Sequence, residues 1–498
     1  MSGPAMGAMA VIICYLAITL GIGIYSGRQS AKSSEGYFLA ARELGPYVMF
    51  FTLFATNISA FAYMGAPGGA YHLGVGFFGY LATTTSLAAV FFYAIGYRTW
   101  LLGRKYEFMT APQLLGAIYN SRGVTLVMLL AFAVFTVAYM LVQPIGAGYV
   151  INAITGGAIP AYVGVLMVLI FITIYVFMGG LKATAYADLF QGSIMIICVA
   201  LAFLLIVFKI GGPTEAAHNL MAISPELFGR GNFSLEQWIS FGLVIALGVP
   251  VFPQLFTKYL AAKNPDSLKT TMTLYPVAMI VIYIPVLFLG AFGTLVFPGL
   301  EGKASDSIIP MMLQNFYAPW VGALVLSAVL AAIMSTTASQ LITISTMILK
   351  DFYIPYVNKN LSADKEVTVG RVFIFVLAIL ACYIALNPPS AILTIVTWAF
   401  TGYAVLTPGI LAALYWRGST ATGVICSVLA GEATVALFAF GIIPASVLGN
   451  WQACVPAVII STVVLIVVSL MTKHSPDEQR AIDDKHGFMD SIFKSQNA

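Results

Sequence analysis

Phe54–Tyr71 reads FATNISAFAYMGAPGGAY, an apolar stretch with Ala, Gly, Ser, Thr and Asn where a plain membrane-crossing helix would carry leucine. In lipid an unpaired backbone N–H or C=O costs several kcal/mol, so non-helical backbone survives there only where protein or a water-filled cavity satisfies it. The stretch is read as a membrane helix interrupted halfway, with a binding site at the break. Ala55, Ser59, Ala60, Gly65 and Ala66 admit close helix approach, while Thr56, Asn57 and Ser59 bring polar groups that lipid disfavours. The same residues also fit an unbroken, tightly packed helix crossing whose Ser and Thr bond their own backbone. The rest of the chain must decide between the two.

That rest is 60% hydrophobic and only 8% charged over 498 residues, with a mean hydropathy of +0.94, against about 25% charged in a soluble globular protein. The composition specifies an all-α polytopic membrane protein forming one transmembrane domain over 1–498. Apolar runs near the ~20 residues needed to cross a bilayer lie at 5–26, 46–70, 74–97, 123–152, 160–178, 185–209, 237–257, 271–297, 317–349, 368–386, 390–414, 419–441 and 452–472. These are thirteen transmembrane helices, which put the termini on opposite sides. With the N-terminus outside, the cytoplasmic loops carry most of the basic residues, from Arg28 and Lys32 through Lys182, Lys258 and Lys350 to Arg417. The outer side holds only Lys209, Arg230 and Lys303. The positive-inside rule therefore places the C-terminus in the cytoplasm of a plasma membrane. The tail 474–498 alternates charge and is expected to be a solvated cytoplasmic end, in part helical. The outer loops 210–236 and 298–316 are long enough for short lid helices or for plain connections.

The net charge of +4 is spread over membrane edges, so nucleic acid is not a partner. Five cysteines, all inside apolar runs, suggest neither a disulfide framework nor a metal knuckle.

A second irregular span, Phe241–Tyr259, has Gly248, Pro250 and Pro253 at its middle, where proline removes a backbone bond and clashes with the preceding turn. Interrupted spans at corresponding positions of two halves point to an inverted-repeat transporter with its site at the midplane. Ala331–Gln340, AAIMSTTASQ, then sets Ser335, Thr336, Thr337 and Ser339 on one helix. Hydroxyls and freed carbonyls supply the hard oxygens a dry sodium ion needs. Standing alone, such a patch would be Ser and Thr bonding back to their own helix.

FATNIS with GAPGGAY, GGLKATAYADLFQG at Gly179–Gly192, and AAIMSTTASQL together resemble the sodium:solute symporter family of proline, pantothenate, monocarboxylate, sialic acid and sodium/glucose carriers. The resemblance runs from the first span to the thirteenth, nearest the pantothenate and monocarboxylate branches. It implies a LeuT-type core of two inverted five-helix repeats, about 46–209 and 237–414, with one extra helix before and two after. It also implies a sodium site from the carbonyls of Ala55, Ile58 and Ala332 and the hydroxyls of Ser335 and Thr336. Some members hold a second sodium with two further hydroxyls and an acid on the sixth span. Here those positions are Ala338, Ser339 and Asp188, which leaves one sodium per substrate. Asp188 either gates sodium release together with Ser339 or snorkels beside Lys182; in a proton-coupled carrier it would be the proton carrier. Glu432, outside the core, is read as structural.

The expected substrate cavity takes Asn57, Ser59 and Tyr63 from the first break, Gln143 from the fourth span, Val249 and Phe252 from the second break, and Trp398 and Thr401 from the eleventh span. Trp398 and Phe252 fit packing or thin-gate roles equally well. Proline-type members carry an acid where Asn57 stands, and sialic-acid-type members a cation at Gln143. With no Lys or Arg expected in the core, the substrate's charge would meet half-helix ends, amides and sodium. The expectation is sodium-coupled import of a monocarboxylate or related organic acid by a monomer in the bilayer; the alternative is a proline-like amino acid or other small neutral or zwitterionic solute. The tail is too short for a signalling output domain, which disfavours a sensor. No nucleotide loop, metal cluster or nucleophile with a base supports an enzyme.

Overall fold

The computed structural model describes residues 3–27, 33–229, 234–386 and 392–496. Arg28, Lys32 and Arg230, three of the charges used above for orientation, lie outside the described residues, as does the start of the run 390–414. The described chain is helical with no strand, apart from one isolated bridge between Leu44 and Ala262.

In chain order the helices are α1 Gly3–Gly27, α2 Ser34–Leu39, α3 Pro46–Asn57, α4 Ala66–Leu73, α5 Phe77–Tyr106, α6 Ala111–Ile118 and α7 Arg122–Met140. They continue as α8 Val142–Ile154, α9 Ala161–Lys209, α10 Pro213–Ile223, α11 Pro225–Phe228, α12 Leu235–Gly248, α13 Pro253–Ala261 and α14 Pro265–Val296. The last are α15 Ile308–Phe316, α16 Pro319–Met347, α17 Ala363–Ala385, α18 Ile392–Tyr415, α19 Ala421–Ala439, α20 Cys454–Met471 and α21 Pro476–Gln496. Proline near the first turn opens α3, α13, α14 and α16, where its missing N–H would be unpaired anyway.

Among the described residues, nine helices are long and apolar enough to cross a membrane, and eleven spans result when two bent pairs each count as one. The bent pairs are the two interrupted stretches of the sequence. α3 turns by 57° into the segment Phe61–Leu73, and Leu235–Val251 turns by 44° into α13. α16 lies at the centre, buried along nearly its whole length, against α9, α1, α8 and α3.

The runs 160–178 and 185–209 form one helical element, α9, of 49 residues. At 1.5 Å per residue that is about 74 Å, more than twice a roughly 30 Å hydrocarbon layer. Gly180 breaks it with φ 59° and ψ −149°, a conformation that disfavours any side chain. The carbonyls that lose their helical partners there are recovered. Tyr37 donates to Val176 O at 2.9 Å and Phe177 O at 3.2 Å, and Arg371 Nε donates to Phe177 O at 2.7 Å.

Both long loops between spans carry short helices: α10 and α11 in one, a 3₁₀ turn at Gly302–Ser307 and α15 in the other. The tail is helical and mostly exposed, but it is not solvated on every side. α21 packs on α5 and α6, burying Ile482 and Met489, because its apolar residues recur at helical spacing and Arg417 pairs with Asp490 on its polar side.

Candidate functional site

The first break begins where Ile58 adopts extended backbone (φ −77°, ψ 119°), so the last helical bond of α3 is Ile58 N to Phe54 O at 3.0 Å. Beyond it, the amide hydrogens that would have closed the helix turn elsewhere. Ala60 N donates to Gln143 Oε1 at 3.0 Å and Phe61 N to Ser59 Oγ at 3.2 Å. Carbonyls between Ala55 and Ile58 are thereby released from the helix ladder.

α16 presents its hydroxyls to those carbonyls. Thr336 Oγ1 lies 3.0 Å from Thr56 O and 2.9 Å from Ile58 O, and Ser339 Oγ lies 2.8 Å from Thr56 Oγ1. Ser335 Oγ is fully buried with no hydrogen-bond partner, an orphan hydroxyl beside the Asp188 carboxylate. Ala55 and Ala332 are fully buried on the same two elements. Thr337, by contrast, bonds back to Ile333 O at 2.7 Å, as a structural hydroxyl does. A cluster of hard oxygens with one unspent hydroxyl and no fixed charge of its own fits a monovalent cation.

Asp188 sits behind this cluster and corrects two expectations. Its carboxylate accepts from Thr52 Oγ1 at 2.5 Å and lies 3.7 Å from Lys258 Nζ, with both charged side chains fully buried. The partner is thus Lys258 and not Lys182, and Asp188 does not snorkel. Lys258 is also a core lysine, where none was expected. In the sequence the apolar run ends at Thr257, which by itself puts Lys258 in a cytoplasmic loop. The second break restarts the helix at Pro253, so α13 carries Lys258 inward on the same face as Gln254, one turn earlier. The signal available in the sequence was that i, i+4 polar pair on a half-helix.

The cavity between the breaks is lined by Asn57, Phe61, Leu81, Thr85, Tyr139, Ile245, Val249, Tyr275, Met279, Tyr283 and Phe400. At about 10 Å³ it has room for roughly one water. Asn57 Nδ2 donates to the Tyr275 hydroxyl. Of the expected substrate residues, only Asn57 and Val249 line this cavity.

The others are placed differently, for identifiable reasons. Ser59 and Gln143 are engaged by the broken backbone, as above. Tyr63 donates to Met195 O at 3.1 Å, away from the cavity. Phe252 lies behind the wall, with ring centroids 5.5 Å from Tyr139 and 4.8 Å from Phe400. Trp398 and Thr401 share the opposite face of α18, lining a groove with Leu448 and Trp451. At about 100° per residue, Phe400 is the member of that stretch that turns inward. Tyr139, Tyr275 and Tyr283 were missed because a tyrosine in an apolar run carries no pattern that separates lining from packing.

The sodium:solute symporter family matches residues 37–431. A sodium/proline symporter of Staphylococcus aureus (strain JH9) is 29% identical over 484 residues, covering 93% of this chain and 92% of that protein; the same holds for the protein of strain NCTC 8325. Among solved structures, a substrate-bound, outward-open Na+-coupled sialic acid symporter superposes with a TM-score of 0.77 at 17% identity, covering 95% of this chain and 99% of that one. MHP1, a nucleobase-cation-symport-1 family transporter in a closed conformation, gives 0.57 at 12% identity, covering 92% and 98%. The pantothenate branch expected from the sequence does not appear among these relatives. Two broken helices, hydroxyls turned onto the freed carbonyls and a family match over residues 37–431 make this chain a member of the sodium:solute symporter family.

Proposed function

We propose that this protein is a sodium-coupled symporter that imports a small organic acid with one sodium ion by alternating access. Its termini lie on opposite sides of the plasma membrane, the N-terminus outside. Thirteen spans follow if α5 crosses and the two arms of α9 on either side of Gly180 count separately, giving repeats 46–209 and 237–414. The observation that carries the reading is the contact of Thr336 with the carbonyls of Thr56 and Ile58, with the unspent hydroxyl of Ser335 beside them. Ala55, Ile58, Ala332, Ser335 and Thr336 would take the sodium ion, and Asp188 with Ser339 would gate its release to the cytoplasm.

The cavity wall favours a single carboxylate. Asn57, Tyr139, Tyr275 and Tyr283 offer hydrogen-bond donors, while the Thr85 hydroxyl donates to Leu81 O, and no charged side chain lines the space. A carboxylate and one sodium ion together bring no net charge into it, whereas an ammonium group would meet no anion of the wall. A proline-like amino acid is the second reading, supported by the 29% identity to a sodium/proline symporter.

Uptake of labelled pyruvate, lactate, acetate and proline into proteoliposomes, with and without an inward sodium gradient, tests both. Accumulation of one of the three acids only with sodium is expected. Accumulation of proline alone selects the second reading, and uptake driven by a proton gradient without sodium overturns the coupling assignment.

A further inference from the structure

Asp188 and Lys258 form an ion pair that solvent does not reach, 3.7 Å apart and both fully buried. Removing such a pair from water costs several kcal/mol per ion, so one surviving at the centre of a membrane protein points to a use. Its surroundings show which. Asp188 Oδ2 takes Thr52 and Lys258, while Asp188 Oδ1, Ser335 Oγ and Lys258 Nζ have no hydrogen-bond partner. Unspent carboxylate and hydroxyl oxygens are cation ligands, and the cation beside this carboxylate, 3.7 Å from Oδ2, is an ammonium tethered to α13.

We propose that Lys258 is a built-in cation that takes the place of a second metal ion beside Asp188, and so holds the sodium number of this carrier at one. The inference rests on the sodium reading above. Lys258 reaches the pair from the half-helix after the second break, while Thr52 and Ser335 come from α3 and α16, elements that frame the first break. Opening the site between the broken helices therefore separates or preserves a charge pair already compensated within the protein. Without the ammonium, Asp188 would be a bare carboxylate next to a sodium site and would recruit sodium itself.

The test is binding of radioactive sodium to the full-length protein in lipid nanodiscs, without substrate. Wild type is expected to bind about one ion per protein with a Hill coefficient near 1, and Lys258→Arg, which keeps the charge, to match it. Lys258→Met should bind about two, with a Hill coefficient rising toward 2. Should that variant fail to fold, a second comparison carries the question. Asp188→Asn leaves an unopposed ammonium near the site and should weaken sodium binding by about tenfold or more. The neutral pair Asp188→Asn/Lys258→Met should restore it to within about threefold of wild type, a recovery that a packing role would not produce. One ion on Lys258→Met with an unchanged curve, or a double variant as weak as Asp188→Asn, overturns this inference alone. A wild type that binds no sodium overturns the sodium reading and this inference with it.

Discussion

The Thr336 hydroxyl lies 2.9 Å from the carbonyl of Ile58, joining the middle of α16 to the point where α3 stops being a helix. A helix interior meets a helix break there. One partner has a side-chain oxygen to offer, and the other has main-chain oxygens with no helical use.

Ser335 and Thr336 should separate in their effects. Ser335→Ala removes a buried hydroxyl that has no hydrogen bond to lose, so thermal stability should stay within about 0.5 kcal/mol of wild type. Its sodium half-saturation for uptake should rise about tenfold, the loss of one ligand among five. Thr336→Val should show the same sodium defect and, in addition, a stability loss of about 1–3 kcal/mol from two orphaned carbonyls. A Ser335→Ala carrier with unchanged sodium dependence would remove Ser335 from the site.

Gln143 should behave as a support of the backbone. Its amide oxygen accepts from Ala60 N at 3.0 Å, and Gln143→Leu leaves that buried N–H unpaired, at about 1–3 kcal/mol. Melting measured by the fluorescence of the purified protein should fall by several degrees. Gln143→Glu, which keeps an acceptor, should recover part of the loss, and equal melting of all three proteins would refute the assignment.

Substrate affinity should follow the cavity and not the sequence motif. Tyr275→Phe removes the acceptor of Asn57 and a donor facing the cavity, and should raise the substrate half-saturation about tenfold at saturating sodium, near the 1.4 kcal/mol of one good hydrogen bond. Trp398→Ala, on the far face of α18, should change it less than twofold. The opposite ranking in uptake kinetics would place the substrate in the groove beside Trp451.

Asp306, in the loop between α14 and α15, should make stability depend on pH. Burial pushes its carboxyl up from 3.8 to about 6, against the opposing pull of the Ile392 N–H, 3.1 Å away, and of Lys303. The folded protein then holds this proton more tightly than the unfolded chain, so stability rises as pH falls from about 6 to about 4, and the charged form is a cost at neutral pH. Asp306→Asn keeps an acceptor for Ile392 without the charge. At pH 7.5 it should be more stable by an amount of order 2 kcal/mol, with the gain vanishing near pH 4. Parallel melting curves across that range would contradict it.

Much of this was legible in the residues because lipid imposes one requirement on every backbone group. Small and hydroxyl residues in FATNISAFAY, and Gly248, Pro250 and Pro253 in the second span, mark helices that stop, and both stop where expected. Ser335 and Thr336 were legible by type, since adjacent hydroxyls deep in an apolar helix need a partner. The cavity was not. Trp398 and Phe400 differ only in which way α18 is rotated, and Tyr63 and Tyr275 only in what their hydroxyls reach.

Lys258 draws the same line. By itself the sequence determined an all-helical membrane protein, two broken helices and a hydroxyl-bearing third, because those follow from local backbone chemistry and residue type. That Lys258 turns inward to Asp188, 70 residues away in the chain, was decided only when the break at Pro253 set the rotation of α13 against α9. The physical reason is that side-chain direction is fixed by packing between elements, and no single segment carries that information.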